Sequence, residues 1–113
     1  MVMRNICYLL NSFLRCTAYE NIIFCWVMHE QSIIDRIINE LDTGTCRVIK
    51  ISLMTDEANL RNRLSSDIAR GIRTADVIDR SVGRIRMYRV LDTVKIDTSN
   101  KTLREIADEI LKL

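Results

Sequence analysis

The spacing of apolar residues changes period several times along the chain, and each change marks an element. Residues 3–16 repeat apolar positions at helical intervals through Ile6, Leu9, Leu10, Phe13 and Leu14. NIIFCWVM, residues 21–28, is an unbroken apolar run of the length expected for a strand buried on both faces. Ser32 and Asp35 resemble a capping box, and Ile33, Ile34, Ile37, Ile38 and Leu41 supply the stripe of the helix that follows, with Gly44 past its end. CRVIKISL, residues 46–53, reads as a second strand. Thr55 is placed to cap a helix with Asp56 and Glu57 in its first turn and Leu60, Leu64 and Ile68 on one side, and Gly71 is placed to interrupt it. Another helical pattern covers about residues 75–89 through Ile78, Val82 and Ile85. TVKID, residues 93–97, predicts a short strand, and Thr102 with Glu105 opens a last helix with Leu103, Ile106 and Ile110 directed inward. Strands alternating with helices predict an α/β domain with a mostly parallel sheet.

Composition narrows this to one domain over residues 1–113. With 48% hydrophobic and 28% charged residues, the chain has the balance of a soluble fold and carries no proline or low-complexity linker. A net charge of +2 is too small for the broad electrostatic footprint of a nucleic-acid binder. The longest apolar run falls short of the ~20 residues that span a bilayer, so no membrane partner is expected. Arg4 and Arg15, in a segment without acids, resemble the charge pattern of a presequence, but the apolar spacing there fits a core helix better. Cys7, Cys16, Cys25 and Cys46 lack CxxC spacing, and His29 is the only histidine. Neither pattern suits zinc, and free, buried or half-buried thiols in a reducing cytoplasm are the expectation.

The unusual local feature is RGIRTADVIDRSVGRIRMY, residues 70–88, with five arginines and two aspartates. If the helix begins near Arg73, then Arg73, Arg80 and Arg84 fall within about 40° of one another. Asp76 can pair with Arg80, whereas Arg84 has no local carboxylate. A solvated face accounts for this pattern as well as an anion site does. Exposed pairs contribute only ~0.2–1 kcal/mol each, while charge-assisted bonds to a phosphate contribute roughly 1.5–3 kcal/mol.

From VIKISLMTDEANLRNRL through RGIR, RIRMY, LDTVKIDTS and NKTLREIADEI, the chain resembles the C-terminal half of a small P-loop kinase of the shikimate, gluconate or nucleotide type. The likeness covers residues 46–113, and residues 1–45 by topology only. It implies a partial P-loop-kinase-like three-layer fold with the first strands missing, a lid-like region at about 61–75, and ATP with Mg in the intact family form. By the same likeness Arg63, Arg70 and Arg73 match lid positions over the nucleotide phosphates. Arg84 with Tyr88 resembles the substrate-anion arginine of an RxPLY pattern, although Arg86 stands where proline is usual, and Arg80 lies one turn before it. DTSNK, containing Ser99, Asn100 and Lys101, resembles the loop beside the nucleotide base. His29 and Glu30 follow the first predicted strand, where an acceptor could bind, although a lone histidine there is more often structural. Asp97 can equally be a polar strand terminus.

No GxxxxGK[ST] occurs in this sequence, and Gly44, Gly71 and Gly83 are too scattered to form one. Without such a cradle the β- and γ-phosphates are neither positioned nor neutralised. The expectation is therefore a fragment resembling an ATP-dependent kinase for a small metabolite or nucleotide, not catalytic alone. The alternative is a non-catalytic anion-binding or regulatory module using the Arg73/Arg80/Arg84 face. By the likeness, Met1 falls within the helix preceding the third strand, and the P-loop strand would lie between residues 21–28 and 46–53. Its absence would expose two strand edges and cost on the order of 10 kcal/mol, predicting an unstable chain, a homo-oligomer or a P-loop-bearing partner chain.

Overall fold

A computed structural model describes all residues 1–113 and divides into two compact units, Met1–Val48 and Ile49–Leu113. The fold is mixed α/β, and its sheet is one parallel pair of strands.

The first unit holds α1 (Val2–Arg15) and α2 (Gln31–Glu40). Helical spacing brings Cys7 and Leu10 of α1 against Ile37 of α2, with Met3, Ile6, Ile33 and Leu41 packed around them. Asn11 ties the end of α2 to α1. Its Nδ2 donates to the Glu40 carbonyl at 3.0 Å and its Oδ1 accepts from Asp42 N at 2.8 Å, satisfying groups that the helix end leaves open. The predicted capping box does not form: Glu30 occupies the cap position without a side-chain bond, and Asp35 accepts instead from Gln31 Nε2 at 2.9 Å.

Residues 21–28 form no strand. A run apolar on both sides becomes a buried strand only when neighbouring strands satisfy its main chain, and none pairs with it. Phe24 and Met28 turn instead into the α1–α2 core, leaving Ile23 87% exposed. Cys25 is exposed with Cys16 and Cys46, contrary to the buried or half-buried expectation. Only Cys7 is buried, and desolvation, aided by the nearby Glu40 carboxylate, pushes its thiol pKa up.

The second unit runs through β1 (Ile51–Met54), α3 (Glu57–Ala69), α4 (Val77–Arg89), β2 (Val94–Asp97) and α5 (Leu103–Leu111). A parallel pair needs a long crossover, which α3 and α4 supply. Ile51 registers with Val94 and Met54 with Asp97. The strand predicted over 46–53 is shorter and displaced toward its end, because only residues facing the four-residue β2 find ladder partners. Leu64, Leu91 and Ile96 are buried, and Ser52 is buried with its hydroxyl 2.7 Å from that of Thr93.

Asp56, not Thr55, caps α3, accepting from Asn59 N at 2.7 Å. The helix ends where Gly71 predicts: Ile72 N donates to Asp67 O and Gly71 N to Ile68 O, with Gly71 at φ +74°. This is the Schellman arrangement, which favours a residue without a Cβ. The following helix begins only at Val77, so Arg73 does not lie on it. Thr102 caps α5 as its sequence predicts, accepting from Glu105 N at 3.2 Å. Leu103, expected inside, is 87% exposed because it lies in the first turn, while Ile106 and Ile110 are half-buried. No helix is long and apolar enough to cross a membrane.

Two glycines make opposite predictions, although a Cβ at either meets nothing within 4 Å. Gly71→Ala forces a left-handed alanine and is expected to cost ~1–2 kcal/mol, whereas Gly83→Ala, inside α4, is expected to add up to ~1 kcal/mol. Denaturant unfolding of both variants checks the opposite signs. Thiol labelling at mildly alkaline pH is expected to modify Cys16, Cys25 and Cys46 rapidly and Cys7 only at the rate of unfolding.

Candidate functional site at the strand ends

Because β1 and β2 are parallel, both deliver their carboxyl ends to the same side, where the chain turns into polar loops. Thr98 locks the ends together. Its N–H donates to Met54 O at 2.7 Å and its hydroxyl to the same carbonyl at 2.8 Å. Arg63 reaches from α3 and donates through Nη2 to Thr98 O at 3.0 Å. Ser99 then bridges the two exits: its hydroxyl accepts from Asp56 N at 2.9 Å, and its own N–H donates to Asp97 Oδ1 at 3.0 Å.

These bonds frame an open depression of about 320 Å³ lined by Met54, Thr55, Asp56, Arg89, Asp97, Ser99 and Asn100. The Thr55 hydroxyl is buried without a hydrogen-bond partner. Asp56 is held below the usual carboxylate range first by the main-chain N–H of Asn59, then by the Asn59 side chain, with help from Ser99 and Arg63. The Ser99 main-chain N–H, then its hydroxyl, and the charge of Lys101 do the same for Asp97, against the opposing charge of Asp56. Both are therefore acceptors at neutral pH, suited to sugar hydroxyls or exocyclic amines, and Arg89 adds a cation suited to a phosphate oxygen. No group of three His, Cys, Asp or Glu side chains converges as a metal site. Together the lining presents two carboxylate acceptors, the Ser99 hydroxyl, the Asn100 amide and one guanidinium.

The residues singled out by sequence are distributed unevenly around this site. Ser99 and Asn100 line it, whereas Lys101 turns away to Glu109 at 2.8 Å. Arg63 braces the loop from behind through Thr98. Arg70 is the exposed C-cap of α3, and Arg73 pairs with Asp67 at 3.2 Å. Arg80 pairs with Asp76 at 3.2 Å, the i,i+4 partner its spacing predicts, and Arg84 is half-buried one turn further along α4, with Tyr88 half-buried beyond it. The Arg73/Arg80/Arg84 face is thus divided between a turn and a helix, and two of its charges are matched by carboxylates. In the first unit, His29 Nε2 lies 3.6 Å from Glu30, and His29 Nδ1 is buried without a partner.

Three lining residues, Asp56, Arg89 and Asp97, carry no binding role that the sequence pattern alone announces. By spacing, Asp56 is a helix first-turn acid and Asp97 a strand terminus. The signal available is positional, since Asp97 ends one strand of a parallel pair and Asp56 lies two residues past the other. No protein-family model, curated protein or solved structure matches this chain.

Because the folded state lowers both pKa values, these carboxylates stabilise the fold above the ordinary aspartate value of about 3.9, and that contribution is lost as pH falls through their depressed values. Carboxyl NMR titration is expected to show Asn59→Ala raising the pKa of Asp56 alone, and Ser99→Ala raising those of Asp56 and Asp97 together. Independent movement of the two in Ser99→Ala would contradict the bridge.

Proposed function

We propose that the second unit is the nucleotide-facing part of a P-loop-kinase-like domain and binds a phosphorylated small molecule, a nucleotide first among them, without transferring phosphate by itself. The observation that carries this reading is the placement of Ser99 and Asn100, which the likeness puts beside a nucleotide base, in a depression at the carboxyl ends of a parallel strand pair. Ligands of open α/β sheets bind on that side. Asp56 and Asp97 accept from the sugar or base, Ser99 and Asn100 present short polar groups to it, and Arg89 meets a phosphate oxygen.

Catalysis is a different matter. One arginine neither orients a γ-phosphoryl group nor neutralises the charge that develops on transfer. The sequence has no lysine within a glycine-rich loop to add to it. The arginines given lid roles by the likeness are engaged otherwise in this conformation, Arg63 with Thr98 and Arg73 with Asp67. Activity would therefore depend on a P-loop supplied by another polypeptide segment.

Titration with ATP, a nucleoside monophosphate and shikimate, followed by amide NMR, tests the reading. The nucleotides are expected to shift Thr55, Asp56, Arg89, Ser99 and Asn100, with no ADP formed on prolonged incubation. Arg89→Ala is expected to weaken nucleotide binding roughly tenfold or more, the loss of one charge-assisted bond of ~1.5–3 kcal/mol. Shifts confined to Arg80 and Arg84 would favour the anion-binding face instead, and no shifts with any of the three would refute both.

A further inference from the structure

The sheet stops at β1, and its outer edge is unusually open. Val94 N donates to Lys50 O at 2.8 Å and Thr98 N to Met54 O at 2.7 Å, so Lys50, Ser52 and Met54 direct their main-chain groups toward β2. Alternation then turns the N–H and C=O of Ile51, Leu53 and Thr55 to the other side. No strand hydrogen-bonds there. The edge sequence ISLM contains no charge and no proline, the devices that ordinarily discourage edge pairing, and the Leu53 side chain is 57% exposed.

We propose that this edge pairs with the same edge of a second copy of the chain, antiparallel, about a twofold axis through Leu53. In that register Leu53 faces its own copy, and Ile51 exchanges main-chain hydrogen bonds with Thr55 of the other chain. The charges flanking the edge select this occupant and this direction. Lys50 lies just before β1, its Nζ 3.4 Å from the carboxylate of the exposed Asp92, and Asp56 lies two residues past β1, where it also caps α3. Antiparallel pairing through Leu53 sets Lys50 of each copy opposite Asp56 of the other, in the non-hydrogen-bonded positions where side chains approach most closely. Parallel pairing would set Lys50 beside Lys50 and Asp56 beside Asp56. Centring the antiparallel pair on Ser52 would set Lys50 against Met54 and leave Asp56 with no charge opposite it. The edge is therefore complementary to itself, as a twofold interface requires.

The pairing does not depend on any ligand. It does carry the second copy's Lys50 to Asp56, at the rim of the depression between the strand ends, where it adds a cation beside Arg89.

Sedimentation of the purified chain tests the pairing directly. The expected species has twice the 13.2 kDa chain mass and dissociates on dilution and with added salt. Leu53→Pro is expected to yield a monomer with unchanged circular dichroism, because the N–H it removes points away from β2. Lys50→Glu, which leaves the main chain intact, is expected to weaken dimerisation at least about tenfold by setting Glu against Asp56. A wild-type chain that stays monomeric up to about 1 mM would overturn the proposal. So would a dimer indifferent to Lys50→Glu, whatever the folding of the proline variant.

Discussion

The second unit depends on how two short parallel strands are held at one end. Four residues of ladder on each strand are a weak basis for a sheet, since parallel pairing is slightly less stable per residue than antiparallel and isolated pairs are marginal. Thr98 compensates by giving both its N–H and its hydroxyl to the Met54 carbonyl, while Arg63 takes the Thr98 carbonyl from α3. Thr98 is 5% exposed, so these bonds form where water competes little. Ser99, the next residue, is thereby fixed against Asp56 and Asp97, and the depression exists because those exits are pinned.

The same knot explains the division of labour among the arginines. A guanidinium is the side chain best able to reach across an α/β unit and satisfy a carbonyl or a carboxylate. Arg63, Arg73 and Arg80 do this within the fold. The latter two pairs are largely exposed and contribute little to stability, but they offset two of the three charges of the Arg73/Arg80/Arg84 face and leave that of Arg84. The cation at the strand ends is Arg89, at the last residue of α4, where favourable interaction with the helix carboxyl end adds to its placement.

The two units bury apolar surface by different means. Around Cys7, Leu10 and Ile37 two amphipathic helices face each other, and the apolar segment 21–28 contributes Phe24 and Met28 as loose cover. In the second unit a crossover of two helices closes over β1 and β2 around Leu64, Leu91 and Ile96. Both leave large apolar side chains exposed, among them Leu9, Trp26 and Leu53, as expected where a small chain has few elements with which to cover each helix stripe and strand face.

Local chemistry was legible wherever neighbouring residues decide it. Thr102 with Glu105 announced the start of α5, Gly71 the end of α3, Asp76 the partner of Arg80, and Val94–Asp97 a strand. Those outcomes rest on main-chain bonds and pairs a few residues apart, which spacing alone encodes. Only the tertiary structure decided whether an apolar run becomes a strand, because that needs a partner elsewhere in the chain: Ile51–Met54 found Val94–Asp97, and residues 21–28 found none. It likewise brought Asp56, Arg89 and Asp97 to one depression, residues up to a crossover apart that meet because parallel strands must end on the same side.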